Sequence, residues 1–173
     1  MKNTIIFDLD GTLAIIEKRR IKAGSPTGKT PTPSKMNWDV FFDAENIKLD
    51  EPNIPVIKMA QTFHKDGFKI VIFSGRNDRS FHTTKEWLNQ HGVPFDLLVM
   101  RPDKFKDESW PIASGNPATK AMRFMPDEIL KKEMLNTFVN KDDVLMCVDD
   151  RQKVVDMWRE NGLTCFQVAP GDF

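Results

Sequence analysis

Short apolar runs alternate along the chain with longer stretches in which apolar residues recur every three or four positions. The runs are four to six residues long and rich in Val, Ile and Phe, which is typical of buried parallel strands. They lie in TIIFDLD, FKIVIFSG, FDLLVMR, DVLMCVDD and TCFQVA. Helical periodicity occupies 56–66 and 80–91, continues from Asp127 to Phe138, and returns at 154–158 before Gly162. Alternating strands and helices predict an α/β fold built on an open, mainly parallel sheet.

Two long connections interrupt this alternation. Residues 14–51 separate the first strand from its returning helix, and residues 102–125 form a second connection punctuated by Pro and Gly. Connections of this length in a compact domain are usually lids or binding loops. We therefore expect a single domain over residues 1–173, with a small cap, or lid, at about 14–51 and a long loop at about 102–125.

The composition excludes several classes of protein. The 173 residues include 25 basic and 25 acidic side chains, so net charge alone indicates neither a nucleic-acid nor a membrane surface as partner. The N-terminal apolar run is broken by Asp8 and Asp10, which is typical of neither a signal peptide nor a membrane span, and we expect a cytoplasmic protein. Cys147 and Cys165 lie in strand-like runs, which favours buried reduced thiols.

Acidic pairs follow two of the predicted strands. Asp8 and Asp10 end the first run, two positions apart, so their side chains share one side if the strand geometry continues. Asp149 and Asp150 end the fourth run. Either pair alone is equally compatible with turn-forming aspartates. Two pairs at the carboxyl ends of parallel strands favour a site for Mg²⁺ and a substrate phosphate.

The second strand ends in SGR, which offers the hydroxyl of Ser74, a backbone amide near Gly75 and the guanidinium of Arg76. These donors suit the oxygen atoms of a phosphoryl group. At 100° per residue, Lys131 falls on the apolar face of the helix that starts at Asp127. Lys131 either neutralises a phosphate and a nucleophile, with Asp127 holding it, or extends past the edge of the core.

The motifs DLDGT, SGR, a downstream Lys and DD, in this order, resemble those of the haloacid dehalogenase superfamily of phosphohydrolases. More narrowly, IIFDLDGTLAI, PDEILKKE and DDRQKVVDMWRENGLTCFQVAPGDF resemble the 3′-phosphatase domain of phage-type polynucleotide kinase/phosphatase. The resemblance implies a three-layer, Rossmann-like fold with about five parallel strands and a small cap after the first strand. It also implies Mg²⁺-dependent hydrolysis of phosphomonoesters through an aspartyl-phosphate.

The resemblance assigns a role to each candidate residue. Asp8 matches the nucleophile and Asp10 the general acid and base. Ser74 and Lys131 match the phosphate-binding positions. The remaining matches are Arg19, Gly75, Arg76 and Asp127 for the substrate, and Asp8, the backbone carbonyl of Asp10, Asp149 and Asp150 for Mg²⁺.

The implied substrate is a phosphorylated nucleotide or polynucleotide end. We expect removal of a 3′-terminal phosphate from DNA or RNA, in the host cytoplasm if the protein is phage-encoded, as in nucleic acid repair. A mononucleotide phosphatase, or a non-catalytic module that binds nucleic-acid ends, remains as an alternative. The sequence predicts no oligomeric state.

The lid carries two further features, each of which fits two different roles. Residues 15–36 hold six basic side chains against one acidic, and residues 37–51 hold five acidic against one basic. The two halves either pair with each other or steer an anionic substrate, for instance through Arg19. Trp38 either stacks on a base or packs the lid onto the domain.

The stretch AGSPTGKT, residues 23–30, matches a loose form of the phosphate-binding loop of ATPases. Such a loop needs an apolar strand before it and a helix after Lys-Thr. Here EKRRIK precedes it, and Pro31 and Pro33 follow. We interpret the match as accidental, and expect no ATP site and no kinase activity.

Overall fold

A parallel sheet flanked by helices organises the part of the chain that the computed structural model describes, residues 1–24, 31–103 and 120–171. The strands are β1 (Thr4–Phe7), β2 (Ala14–Ile15), β3 (Glu51–Pro52), β4 (Lys69–Asn77), β5 (Leu97–Arg101), β6 (Val144–Asp149) and β7 (Cys165–Gln167). The α-helices are α1 (Glu17–Gly24), α2 (Trp38–Phe41), α3 (Ala44–Ile47), α4 (Ile54–Lys65), α5 (Phe81–Gln90), α6 (Asp127–Phe138) and α7 (Gln152–Glu160).

The five predicted apolar runs form the five strands of the main sheet, in the order β5-β4-β1-β6-β7. All neighbouring strands are parallel. The predicted α/β fold with a central five-stranded parallel sheet is therefore confirmed. Because β1 lies between β4 and β6, the residues that follow these three strands meet at one edge of the sheet.

Helices cover both faces of the sheet, which gives three layers. Apolar residues of α4 and α5, including Ile57 and Leu88, pack in one buried cluster, and those of α6 and α7, including Leu130 and Val155, pack in another. The bounds of α6 match the predicted ones, and those of α4, α5 and α7 differ by one or two residues. The start of α4 at Ile54 follows from Pro55, which a first helical turn accommodates without losing a hydrogen bond.

The lid is built from α1, α2 and α3, and the antiparallel pair of β2 and β3 joins its two ends. The helix α1 was not predicted, because its sequence EKRRIKAG has almost no apolar periodicity. Its Arg19 and Arg20 are buried, so these two side chains are not a solvent-facing basic surface. Ala23 and Gly24 end this helix; the rest of AGSPTGKT, with Lys29, lies outside the described residues.

Of the second long connection, residues 104–119 lie outside the described residues, and Lys120–Phe124 form a short 3-10 helix before α6. Cys147 and Cys165 are buried free thiols, as predicted, and burial raises the pKa of Cys165 to about 12. Across the three described ranges, we find no helix with the length and apolarity that crossing a membrane requires.

Candidate active site

Three carboxylates and one ammonium group meet at the carboxyl edge of the sheet. Asp8 follows β1, Asp149 ends β6, and Asp150 comes directly after it. Oxygen atoms of these three side chains all lie within 4.8 Å of one another. Lys131 of α6 reaches them, with Nζ 2.6 Å from Asp8 Oδ1 and 2.8 Å from Asp149 Oδ2. The apolar face on which Lys131 was placed from periodicity therefore faces this cluster, and its side chain does not extend past the core edge.

Burial and mutual repulsion govern the charges in this cluster. Burial raises the pKa of Asp8 to about 7, against the opposing effect of the Lys131 charge. Burial, together with the neighbouring Asp8 and Asp149, raises the pKa of Asp150 to about 9. Burial opposes the charge of Lys131, but Asp149 and Asp8 outweigh it and raise its pKa. The ammonium group thus stays charged, but one lysine does not offset burial and mutual repulsion enough to keep the pKa values of Asp8 and Asp150 in their usual range.

Hydrogen bonds from nearby groups hold the carboxylates in place. The Thr12 hydroxyl lies 3.1 Å from Asp8 Oδ2 and 3.4 Å from Asp150 Oδ1. Asp149 Oδ1 accepts the backbone N–H of Asp150 at 2.9 Å, and Trp158 Nε1 donates to Asp149 Oδ2 at 3.3 Å. Together with Lys131, these buried donors fix the orientation of the Asp149 carboxylate.

Asp10 lies in a different environment from Asp8. The strand geometry expected to align the two side chains ends at Phe7, and their carboxylates have different partners. Asp10 Oδ1 accepts from Arg19 Nη2 at 2.5 Å and from Arg76 Nη2 at 2.6 Å. Burial opposes ionisation of Asp10, but the two guanidinium groups outweigh it and lower its pKa to about 2. The two aspartates of the DLD motif therefore have different cationic partners: Asp8 contacts one lysine, whereas Asp10 contacts two arginines.

Asp50 is a site residue that the sequence interpretation missed. Its carboxylate accepts from Arg19 Nε and Nη2, each at 2.9 Å, and from Arg76 Nη2 at 2.6 Å. Its side chain is fully buried, as are those of both arginines. Asp10 and Asp50 therefore share two guanidinium groups, and this set of four charges joins the lid to β1 and β4. In the sequence, Asp50 was one of several acidic residues in a charged stretch, with nothing to mark it.

Replacing Asp50 with Asn should lower the free energy of unfolding by about 3–5 kcal/mol, because it leaves two buried guanidinium groups to share one carboxylate. Urea denaturation followed by far-UV circular dichroism measures this change. Glu51→Gln is the matched control, since its pair with Lys18 is exposed and contributes at most about 1 kcal/mol. Equal, small effects of the two substitutions would show that the four-charge cluster does not stabilise the lid.

The SGR segment belongs to β4, which extends to Asn77. Ser74 is fully buried, and its Oγ accepts the backbone N–H of Arg76 at 3.1 Å. Arg76 is buried as well and engaged by Asp10 and Asp50. Gly75 lies between them and lines the cleft. A Cβ atom at Gly75 would come within 2.6 Å of an Asp127 oxygen, so a larger residue here would have to displace the Asp127 side chain.

Asp127, at the start of α6, binds two arginines. Its carboxylate accepts from Arg101 Nη2 at 2.5 Å and from Arg151 Nη1. This differs from the expectation that Asp127 would hold Lys131, although its charge adds to the rise in the pKa of that lysine. Arg101 also donates to the carbonyl oxygens of Gly75 and Met125. Asp127 thus ties the start of α6 to the end of β5, through Arg101, and to the residue after Asp150.

These groups border a cleft of about 540 Å³. Asp8, Asp10, Gly75 and Asp127 line it, and Ser74 and Arg76 lie buried next to them in β4. The lid contributes aromatic side chains, and the segment before α6 contributes a second wall. Basic side chains also line the cleft; they are Arg79, Arg101, Arg123, Arg151 and Lys153.

The acidic cluster fits a bound Mg²⁺ ion by its donor chemistry. Mg²⁺ prefers carboxylate oxygens and is commonly held by one or two carboxylates together with a substrate phosphate. Asp8, Asp149 and Asp150 supply such oxygens close together, and Lys131 opposes their charge. The side chain of Asp10 is engaged by two arginines, so its predicted contribution through the backbone carbonyl is the one compatible with this arrangement.

The fold and the arrangement of these residues define the class of haloacid-dehalogenase-like phosphatases. A solved structure of a phosphoserine phosphatase with a phospho-aspartyl intermediate analogue shares the fold, with a TM-score of 0.55 and 20% identity over 94% of this chain and 85% of that chain. Within this class, the chain belongs to the family described as the polynucleotide kinase PNKP phosphatase domain, whose sequence model matches residues 30–173. The protein is therefore a phosphatase. The matched residues begin after Asp8 and Asp10. The family model therefore does not include these two residues, and their place in the site rests on the contacts described above.

Two further solved structures are similar over almost the whole chain. The Pnkp1/Rnl/Hen1 RNA repair complex matches with a TM-score of 0.71 and 30% identity, over 98% of this chain and 43% of that chain. A second Pnkp1/Rnl/Hen1 complex matches with a TM-score of 0.71 and 28% identity, over 99% and 47%. The chain spans less than half the length of these two matched chains.

Proposed function

We propose that this protein removes 3′-terminal phosphate groups from polynucleotide ends, in a Mg²⁺-dependent reaction through an aspartyl-phosphate on Asp8. The observation that carries the proposal is the pairing of buried Asp8 with Lys131, beside Asp149 and Asp150 and at the wall of an open cleft. A carboxylate fixed in this way can act as a nucleophile, because a cation compensates its burial and hydrogen bonds orient it.

The first step transfers the phosphoryl group to Asp8. A carboxylate oxygen of Asp8 forms a bond to phosphorus while the bond from phosphorus to the ester oxygen breaks, and Asp10 gives a proton to that leaving oxygen. In the second step Asp10 takes a proton from water, which attacks the aspartyl-phosphate and releases inorganic phosphate. Mg²⁺ held by Asp8, Asp149 and Asp150 would supply positive charge for the phosphoryl oxygens.

Arg19 and Arg76 control the proton on Asp10. In the free protein they hold Asp10 as a carboxylate, with a pKa of about 2. A substrate phosphate that attracts these guanidinium groups would weaken their pairing with Asp10 and raise its pKa. Lys131 remains an ammonium ion throughout and balances the negative charge that gathers around Asp8.

Two comparisons support a polynucleotide substrate: the family to which the chain belongs, and the complexes in which similar chains occur. The matched family is that of a polynucleotide kinase phosphatase domain, and the matched complexes include one described as an RNA repair complex. The basic side chains along the cleft also suit the phosphodiester groups next to a terminal phosphate.

Phosphate release from four substrates, with Mg²⁺ or with EDTA, tests the proposal. We expect release to need Mg²⁺ and to be fastest, by about 10-fold or more in kcat/KM, for an oligonucleotide with a 3′-phosphate. The others are the same oligonucleotide with a 5′-phosphate, a nucleoside 3′-monophosphate and a nucleoside 5′-monophosphate. Preference for a monophosphate would contradict the polynucleotide substrate, and release in EDTA would contradict the metal requirement.

A further inference from the structure

We infer that Trp38, in the lid, is the surface on which the nucleobase of the phosphate-bearing nucleotide stacks. This inference rests on the proposed function, because it names how the same cleft recognises its substrate. Trp38 and Asp8 line one cleft, so a nucleotide whose phosphate lies at Asp8 occupies the cleft of which Trp38 forms part of the wall.

The position of Trp38 is fixed by its own helix. Asn37 precedes α2, and its side chain accepts the backbone N–H groups of Asp39 and Val40 at 3.1 and 3.2 Å. The Trp38 ring stacks on Phe42 with a centroid distance of 5.7 Å, and meets the edge of Phe41 at 5.5 Å. These contacts hold the ring in one orientation before any ligand binds.

Phe41 and Trp38 differ in how far they are exposed to solvent. Both side chains line the cleft, but Phe41 is 1% exposed and packs in the buried core, whereas Trp38 remains 39% exposed. A large indole that is supported on one side and exposed to a cleft is suited to receive a flat ring. Such aromatic surfaces bind the bases of single strands by stacking, with little preference for sequence.

Phe41 also connects Trp38 to the catalytic residues. The Arg19 guanidinium lies 4.1 Å from the centre of the Phe41 ring, and its Nη1 donates to the Phe41 carbonyl oxygen at 2.9 Å. Arg19 is in turn paired with Asp10. A base on Trp38 is therefore positioned relative to Asp10 through one continuous set of packed side chains.

The other wall and the charges of the cleft point to a nucleotide in particular. Phe124, from the segment before α6, is 77% exposed and lines the same cleft. Arg79 and Arg123 are also in its lining, with side chains 45% and 42% exposed. An aromatic surface alone would suit many flat molecules. Combined with cations and with the phosphatase residues, it suits a molecule that carries both a base and phosphate groups.

The test compares two oligonucleotides that share a 3′-phosphate and differ only in the base of the terminal nucleotide, which is present in one and absent in the other. We expect Trp38→Ala to lower kcat/KM about 10-fold for the first, mainly through KM, which corresponds to about 1.4 kcal/mol. For the second, it should change kcat/KM less than about 2-fold. Trp38→Phe should retain most of the wild-type preference, because a smaller ring still stacks.

Phe166→Ala is the control, since Phe166 is an exposed aromatic residue of β7 that is not in the cleft lining; it should leave both substrates unaffected. Dissociation constants of the two oligonucleotides, measured in the Asp8→Asn background with and without Trp38→Ala, give the same comparison without turnover. Equal losses on both substrates would overturn the inference and assign Trp38 to lid packing. Hydrolysis confined to other phosphomonoesters would instead contradict the proposed function, while the dissociation constants still decide the role of Trp38.

Discussion

Asp8→Asn should reduce phosphate release by about 10⁴-fold or more, because the amide cannot form the aspartyl-phosphate and its nitrogen is a poor nucleophile. The expected loss lies in kcat, since the proposed phosphate-binding and metal-binding groups of Lys131, Asp149 and Asp150 are unchanged. Single-turnover measurement of inorganic phosphate from a 3′-phosphorylated oligonucleotide with Mg²⁺ gives this number. Acid quenching of the wild-type enzyme with a ³²P-labelled substrate should trap label on the protein, and Asp8→Asn should trap none.

The variant Asp66→Asn makes the same chemical change at an exposed residue that follows α4, and should retain full activity. Thermal unfolding of both variants separates a lost nucleophile from a lost fold. If Asp8→Asn kept more than about a tenth of the wild-type rate, Asp8 would not be the nucleophile, and the reaction would have to proceed by direct attack of water.

Lys131→Met should cause a loss of stability as large as that of Asp50→Asn. It removes the ammonium group from between Asp8 and Asp149 and leaves the three clustered carboxylates without a compensating cation. Breaking a buried ion pair from one side costs about 3–5 kcal/mol, and methionine keeps nearly the same volume, so packing changes little. The same substitution should slow phosphate release by about 10²- to 10³-fold.

The effect of Mg²⁺ on stability distinguishes the loss of the Lys131 ion pairs from a general weakening of the core. Because the carboxylates in Lys131→Met repel each other more strongly, Mg²⁺ should raise its free energy of unfolding more than that of the wild type. Lys132→Met, at the next and exposed position of α6, should have little effect with or without Mg²⁺. A loss below about 1 kcal/mol in EDTA would show that the ion pairs of Lys131 contribute little to stability.

The parts of this structure that follow local patterns could be predicted from the sequence. The five strands arise from short apolar runs, and parallel strands bring the residues after them to one edge, which placed Asp8 near Asp149 and Asp150. Helical periodicity was enough to place Lys131 on the face of α6 that contacts them. Each of these predictions depends only on spacing and on the direction of the strands.

The lid could not be predicted in the same way, because its buried residues are charged. In α1, burial of Arg19 depends on Asp50, 31 residues away, and the pair of Arg76 with Asp10 spans 66 residues. No local pattern shows which of many charges will find a distant partner and lose contact with water. For the same reason Asp127 was assigned to Lys131, one turn away, whereas its carboxylate contacts Arg101 and Arg151.

The four shared charges of Asp10, Asp50, Arg19 and Arg76 have a consequence for the way substrates enter. Swinging the lid outward would pull Arg19 and Asp50 away from Arg76 and Asp10 and leave buried ions unpaired, which is a costly step. We therefore expect the lid to keep its position when substrate binds and when product leaves. If the proposed function holds, a phosphorylated nucleic-acid end would then enter and leave the cleft without a movement of the lid.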